Sequence, residues 1–132
     1  MSGKIKFGIR YLKVPADPEK PMELMILNGI EELRENIGGG YIEAVTLRQN
    51  QHCPGARLYC DEEFQYKREL GVNFRASLMA QLGGVFPKPD QVIGGDVLLF
   101  DGYHGDKEAP VTDKTVQWAY GLEELLKKLE VI

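Results

Sequence analysis

Asn73 and Arg75, preceded by Lys67 and Arg68, form the densest local cluster of cationic and amide donors in an otherwise acidic chain. An asparagine at a helix start accepts a first-turn amide, and that turn carries a fixed positive potential. An arginine beside it offers a planar fork of donors matched to phosphate. Asn73, Arg75, Arg68 and Lys67 are therefore expected to converge on one small anion, with a nucleotide as the candidate. Tyr41 would stack on its base if the strand carrying it lies close. The plain alternative is an N-cap beside a solvent-facing arginine; either way, Arg75 is expected near the surface.

Other constellations carry less chemistry. His52, Cys53, Cys60 and His104 include metal-ligating types, but two are adjacent, the third is seven residues on and the fourth is far away. Structural zinc sites present ligand pairs two to five residues apart, so Cys60 is expected to pack as a small hydrophobe. Asp101-Gly102-Tyr103-His104-Gly105-Asp106 holds two carboxylates and an imidazole, which could do general acid–base work. The same composition suits a solvated loop. There is no G-x-S-x-G, no H-E-x-x-H and no paired Cys/His signature. Gly38-Gly39-Gly40 leads from a helix into a strand, the reverse of a phosphate loop, and no lysine followed by Ser or Thr comes after it. It reads as a helix end, and Gly83-Gly84 and Gly94-Gly95 read as turns. No catalytic residue, metal or cofactor is expected.

The elements that must position these residues alternate between periods of two and of 3.6. Ile5, Phe7, Ile9 and Tyr11 alternate with polar or small residues, predicting a strand at 5–14; 22–27 follows as its hairpin partner after a proline-rich turn. Asn28 and Glu31 read as the start of a helix ending before Gly38. Strands are expected at 41–47 and 56–60, with a loop at 48–55. Asn73 opens a helix to Leu82 that Gly83-Gly84 ends. Val97-Leu98-Leu99-Phe100 lacks polar alternation and is expected to be a central strand covered on both faces. The last helix is expected at 113–129, with Trp118, Leu122, Leu125 and Leu129 as its seam and Leu126 widening it. Gly121 inside it suggests close approach of another backbone.

The sum is an α+β fold in a single domain, 1–132: a mainly antiparallel sheet of four to six strands, with helices at 29–37, 74–82 and 113–129 packed mostly on one face. With 132 residues, 43% of them hydrophobic and 27% charged, the chain can bury one core. A net charge of −4 and a pI near 5.2 argue against a dedicated nucleic-acid binder. No apolar run is long enough to span a membrane, and the first residues lack a signal peptide's apolar core. Two cysteines fit a reduced, cytoplasmic protein.

Four blocks recur in order: Gly39-Gly40-Tyr41-Ile42-Glu43-Ala44, Leu58-Tyr59-Cys60-Asp61-Glu62-Glu63, Leu70-Gly71-Val72-Asn73-Phe74-Arg75-Ala76 and Ile93-Gly94-Gly95-Asp96-Val97-Leu98-Leu99. Their order and spacing resemble the phage-associated domain of unknown function 3846, over residues 22–103 and a terminal helix. Phe74 separates Asn73 from Arg75, and Phe64 stands where that family usually has glycine. The resemblance implies a phage or prophage accessory protein acting in a bacterial host cytoplasm, and it supplies no catalytic residues.

The first expectation for function is therefore a non-catalytic accessory protein that sequesters a small anionic ligand, with a host defence signalling nucleotide in view. One alternative is an acidic module inhibiting a host enzyme through Glu31, Glu32, Glu35, Asp61, Glu62 and Glu63. Another is a small hydrolase using the Asp101 to Asp106 loop. A homo-oligomer, most simply a two-fold dimer, is expected through the free edge of the 5–14 strand.

Overall fold

Apolar residues spaced two apart build a sheet with two dry faces. The computed structural model describes residues 9–37, 41–62, 71–85, 91–104 and 107–132, with Ile30, 102–104, 107 and 108 described in backbone only. The strands are β1 (Arg10–Val14), β2 (Glu23–Ile26), β3 (Ile42–Leu47), β4 (Ala56–Asp61), β5 (Val97–His104) and β6 (Lys107–Ala109), and the helices are α1 (Ile30–Asn36), α2 (Phe74–Leu82) and α3 (Asp113–Lys128). All six strands join one antiparallel sheet in the order β2-β1-β5-β4-β3, with β6 paired to β5. The expected α+β class is what the structure shows.

Alternation divides the side chains. Leu12 and Leu58 both lie opposite Leu99, and these three face α2 and α3 with Val14, Cys60, Val97, Ala76, Met79 and Ala119. Tyr11, Tyr59, Leu98 and Phe100 point the other way and pack with Leu33 and Ile37 of the α1 segment. Tyr11 stacks on Phe100 at 5.3 Å between centroids, and Tyr59 leans on the same ring at 5.1 Å. Every residue of Val97-Leu98-Leu99-Phe100 is buried, as its unbroken apolar run requires. Of the three helices among the described residues, two share one face. The short α1 covers the other, because the sheet's second apolar face also has to be removed from water.

Several expectations are corrected. β1 is no edge strand: it hydrogen-bonds β2 on one side and β5 on the other, leaving β2 and β3 as the ends of the path. α1 is capped at Gly29 with no side-chain bond, and Glu32, not Glu31, reaches back to the Asn28 amide at 3.3 Å. Gly38, Gly39 and Gly40 lie outside the described residues. On α3 the buried arc is Thr115, Val116, Ala119, Leu122, Glu123 and Leu126. Leu125 and Leu129 are 45% and 64% exposed, and Trp118 is partly buried. The seam is rotated because two polar residues enter the buried arc with partners: Thr115 with Asp101, and Glu123 with Arg75. A Cβ at Gly121 would meet nothing within 4 Å, so no backbone approaches it among the described residues. The close approach is at Gly83, where a Cβ would lie 2.8 Å from that of Leu47. Among the described residues no helix is long and apolar enough to cross a membrane.

Candidate functional site

The Asn73 and Arg75 pair turns inward. Asn73 is wholly buried; its Oδ1 accepts the Ala76 amide at 2.9 Å, which is the N-cap read from sequence. Its Nδ2 donates to the Val14 carbonyl at 2.8 Å and the Gly95 carbonyl at 2.9 Å, and its own amide donates to the Ile93 carbonyl. One side chain thus ties β1, the 93–95 turn and α2 together. Arg75 is 1% exposed, which corrects the surface position expected of it. Its Nη1 donates to Glu123 Oε2 at 2.5 Å, and its Nη2 faces the carbonyls of Pro15, Asp17 and Lys20 at 2.7, 3.1 and 3.0 Å. Both terminal nitrogens serve the protein itself. Lys67 and Arg68 lie outside the described residues. Tyr41 is 68% exposed at the start of β3 and makes no hydrogen bond or ring contact with Asn73 or Arg75.

Of the acidic contact surface, Glu31, Glu35 and Glu62 are exposed. Asp61 is buried, Glu32 accepts the Tyr11 hydroxyl and Glu63 lies outside the described residues. Burial, together with the bond to Glu32 and its charge, raises the Tyr11 hydroxyl well above its usual range. Burial pushes the Cys53 thiol up to about 11. Burial, then the charges of Glu43 and Asp61, pushes the Cys60 thiol up to about 12. Both thiols are therefore held in the neutral form near pH 7, which is not the nucleophilic form. Residues 101–104 and 107–109 belong to two antiparallel strands paired with each other, and Gly105 and Asp106 lie outside the described residues.

A concave site lies elsewhere. A cleft of about 580 Å³ opens between residues 49–55, Asp101 on β5, and Thr112, Lys114, Thr115 and Trp118 at the start of α3. Its walls are fixed by local hydrogen bonds. Asn50 Nδ2 donates to the Leu82 carbonyl at 2.8 Å and the Arg48 carbonyl at 3.2 Å, while its Oδ1 accepts the His52 amide at 2.7 Å. Trp118 Nε1 donates to the His52 carbonyl at 2.9 Å, clamping the loop to α3. Thr112 caps α3 through the Thr115 amide, and the Thr115 hydroxyl donates to Asp101 Oδ1. β5 alternation sets Asp101 on the α3 side, opposite Ala56 of the same face. Lys114, exposed at the rim, makes no ion pair among the described residues. The lining thus offers an ammonium, a carboxylate oxygen, side-chain amides and an indole.

Sequence reasoning named Trp118, Asp101 and the 48–55 loop separately without joining them. The available signal was Thr112 and Thr115 around a helix start, an N-cap spacing that marks where α3 begins.

No protein-family model matches the chain, and no curated protein matches it. Among solved structures it is similar to the small RNA methyltransferase HEN1, with a TM-score of 0.53 and 18% identity over 89% of this chain. The match spans 16% of that protein's length, and the likeness is one of fold.

Proposed function

We propose that the chain is a non-catalytic binding domain that holds a small anionic ligand in the cleft between residues 49–55 and the start of α3. The cleft is the observation that carries this reading: its volume of about 580 Å³ falls within the range of small-molecule sites. Lys114 supplies a mobile cation at the rim, and the first-turn amides of α3 add positive potential. The groups that acid–base chemistry would need are each held by a neighbour: one oxygen of Asp101 accepts from Thr115, and the His52 Nε2 lies 3.1 Å from Gln51 Nε2. That favours retention over turnover. The resemblance to a phage-associated family supplies a setting, in which the ligand is a host signalling nucleotide withdrawn from circulation.

Native mass spectrometry of the protein purified from bacterial cells tests the reading. A small-molecule adduct on the wild type, lost in Lys114→Glu and in Trp118→Ala, is expected. A bare wild-type mass, or an adduct that survives both substitutions, overturns it.

A further inference from the structure

We infer that the cleft is built for a nucleoside monophosphate; this rests on the reading of the cleft as a ligand site. Three groups in the lining argue for that class. The first is Trp118, a partly buried indole that packs against the core, lines the cleft and is held in place by the Nε1 bond to the His52 carbonyl, so that a flat ring in the cleft would have an aromatic neighbour. Stacking of this kind accepts any base, because every base has a π-face.

The second group is Asp101. One of its oxygens takes the Thr115 hydroxyl, which fixes the carboxylate, and among the described residues no donor bonds the other. A carboxylate acceptor selects ligand donors, such as the vicinal hydroxyls of a ribose. The third is Lys114, four residues before Trp118 and so on the same side of α3. Side chains so spaced start about 5–6 Å apart. The flexible lysine can therefore meet a phosphate joined through the sugar to a base on the indole.

Charge limits the phosphate count. The lining carries one cation, Lys114, against one carboxylate, Asp101, and the adjoining Asp113 is already bonded to Arg10 at 3.1 Å. A triphosphate would set about four negative charges against a single ammonium and beside two carboxylates, whereas a monoester sets at most about two there and repels the carboxylates least. An amino acid would match the charge pair but would leave the indole face and much of the volume unfilled.

Trp118 is the one tryptophan of the chain, so its fluorescence reports the cleft alone. The probes are AMP, GMP, CMP, UMP, 2′-deoxy-AMP, adenosine, ATP and inorganic phosphate, each titrated against the full chain. Saturable fluorescence change with the ribonucleoside monophosphates is expected. Adenosine should bind about 10- to 100-fold more weakly than AMP, as loss of a charged hydrogen bond implies. Lys114→Gln should abolish that difference between AMP and adenosine. Asp101→Asn should erase the preference for AMP over 2′-deoxy-AMP, with circular dichroism confirming the fold. Inorganic phosphate acting as strongly as AMP, or ATP binding more tightly than AMP, overturns the inference. A cleft-dependent adduct in native mass spectrometry with no response to any monophosphate overturns the nucleotide assignment and leaves the ligand site standing. Absence of both sinks both.

Discussion

The guanidinium of Arg75 meets the carboxylate of Glu123 at 2.5 Å inside the protein, where neither side chain has more than marginal access to water. The pair links the first turn of α2 to the last third of α3. The other terminal nitrogen gathers the carbonyls at Pro15, Asp17 and Lys20, so the turn between β1 and β2 is fastened to the same point.

Arg75→Ala is therefore expected to destabilise the domain strongly rather than spare it. Removing one partner leaves Glu123 buried without its main counter-charge, Lys127 being 3.7 Å away and half-exposed. Such losses cost about 3–5 kcal/mol. Urea unfolding measures this; a loss under about 1 kcal/mol, the worth of a surface ion pair, would show that the guanidinium is solvated.

Asn73→Ala should cost about 2–4 kcal/mol, combining a lost cap with two buried carbonyls left bare. Asn73→Asp keeps the acceptor for the Ala76 amide but replaces the donor to Val14 and Gly95 with an anion. It should give no recovery over alanine in the same unfolding assay. A stability near wild type for Asn73→Asp would mean that the Nδ2 bonds contribute nothing.

These two residues show what was legible in the sequence and what was not. The N-cap role of Asn73 and the end of α2 before Gly83 are local, set by contacts three or four residues apart, and they were read correctly. The destination of Arg75 is not local: its acceptors lie 48 to 60 positions away, and nothing near Arg75 announces them. An isolated arginine after a cap reads as exposed because burying a charge is costly unless a distant partner arrives. The cleft escaped notice for the same reason, since Trp118 and the His52 carbonyl meet across 66 positions. The central placement of β5 was visible because burial on both faces demands an apolar residue at every position.

Two glycines should respond with opposite signs. Gly121 sits inside α3 with open space around its Cβ position, so Gly121→Ala should stabilise by about 0.5–1 kcal/mol through helix propensity. At Gly83 a new methyl would lie 2.8 Å from the Leu47 Cβ and 3.1 Å from its Cα, so Gly83→Ala should destabilise. Thermal melts of both variants check the pair; matching signs would contradict the packing around α2.

Alkaline pH should weaken the fold. Cys53 and Cys60 remain neutral in the folded protein up to about 11 and about 12, while unfolded thiols ionise from their ordinary value of 9.0. Above that value the unfolded chain binds fewer protons than the folded one, so stability falls as pH rises. It should be undiminished by the thiols below pH 9.0 and decline from there toward the folded values. The raised Tyr11 hydroxyl adds to the decline from its ordinary value of 10.0 upward. Cys60→Ala should flatten the curve measured by urea midpoint against pH. An unchanged slope would show that the Cys60 thiol does not contribute.

The corrected face of α3 gives the last test. Leu122 faces the sheet beside Ala119 and Val116, whereas Leu129, at 64% exposure, lies past the last helical residue. Leu122→Ala should cost about 2–5 kcal/mol, the transfer free energy of the lost methyls plus the cavity they leave. Leu129→Ala removes surface that is already largely wet and should stay within about 0.5 kcal/mol of wild type. The apolar seam read from spacing alone would make the two equal. A substantial loss in Leu129→Ala, growing with protein concentration, would instead place that residue at a contact between copies.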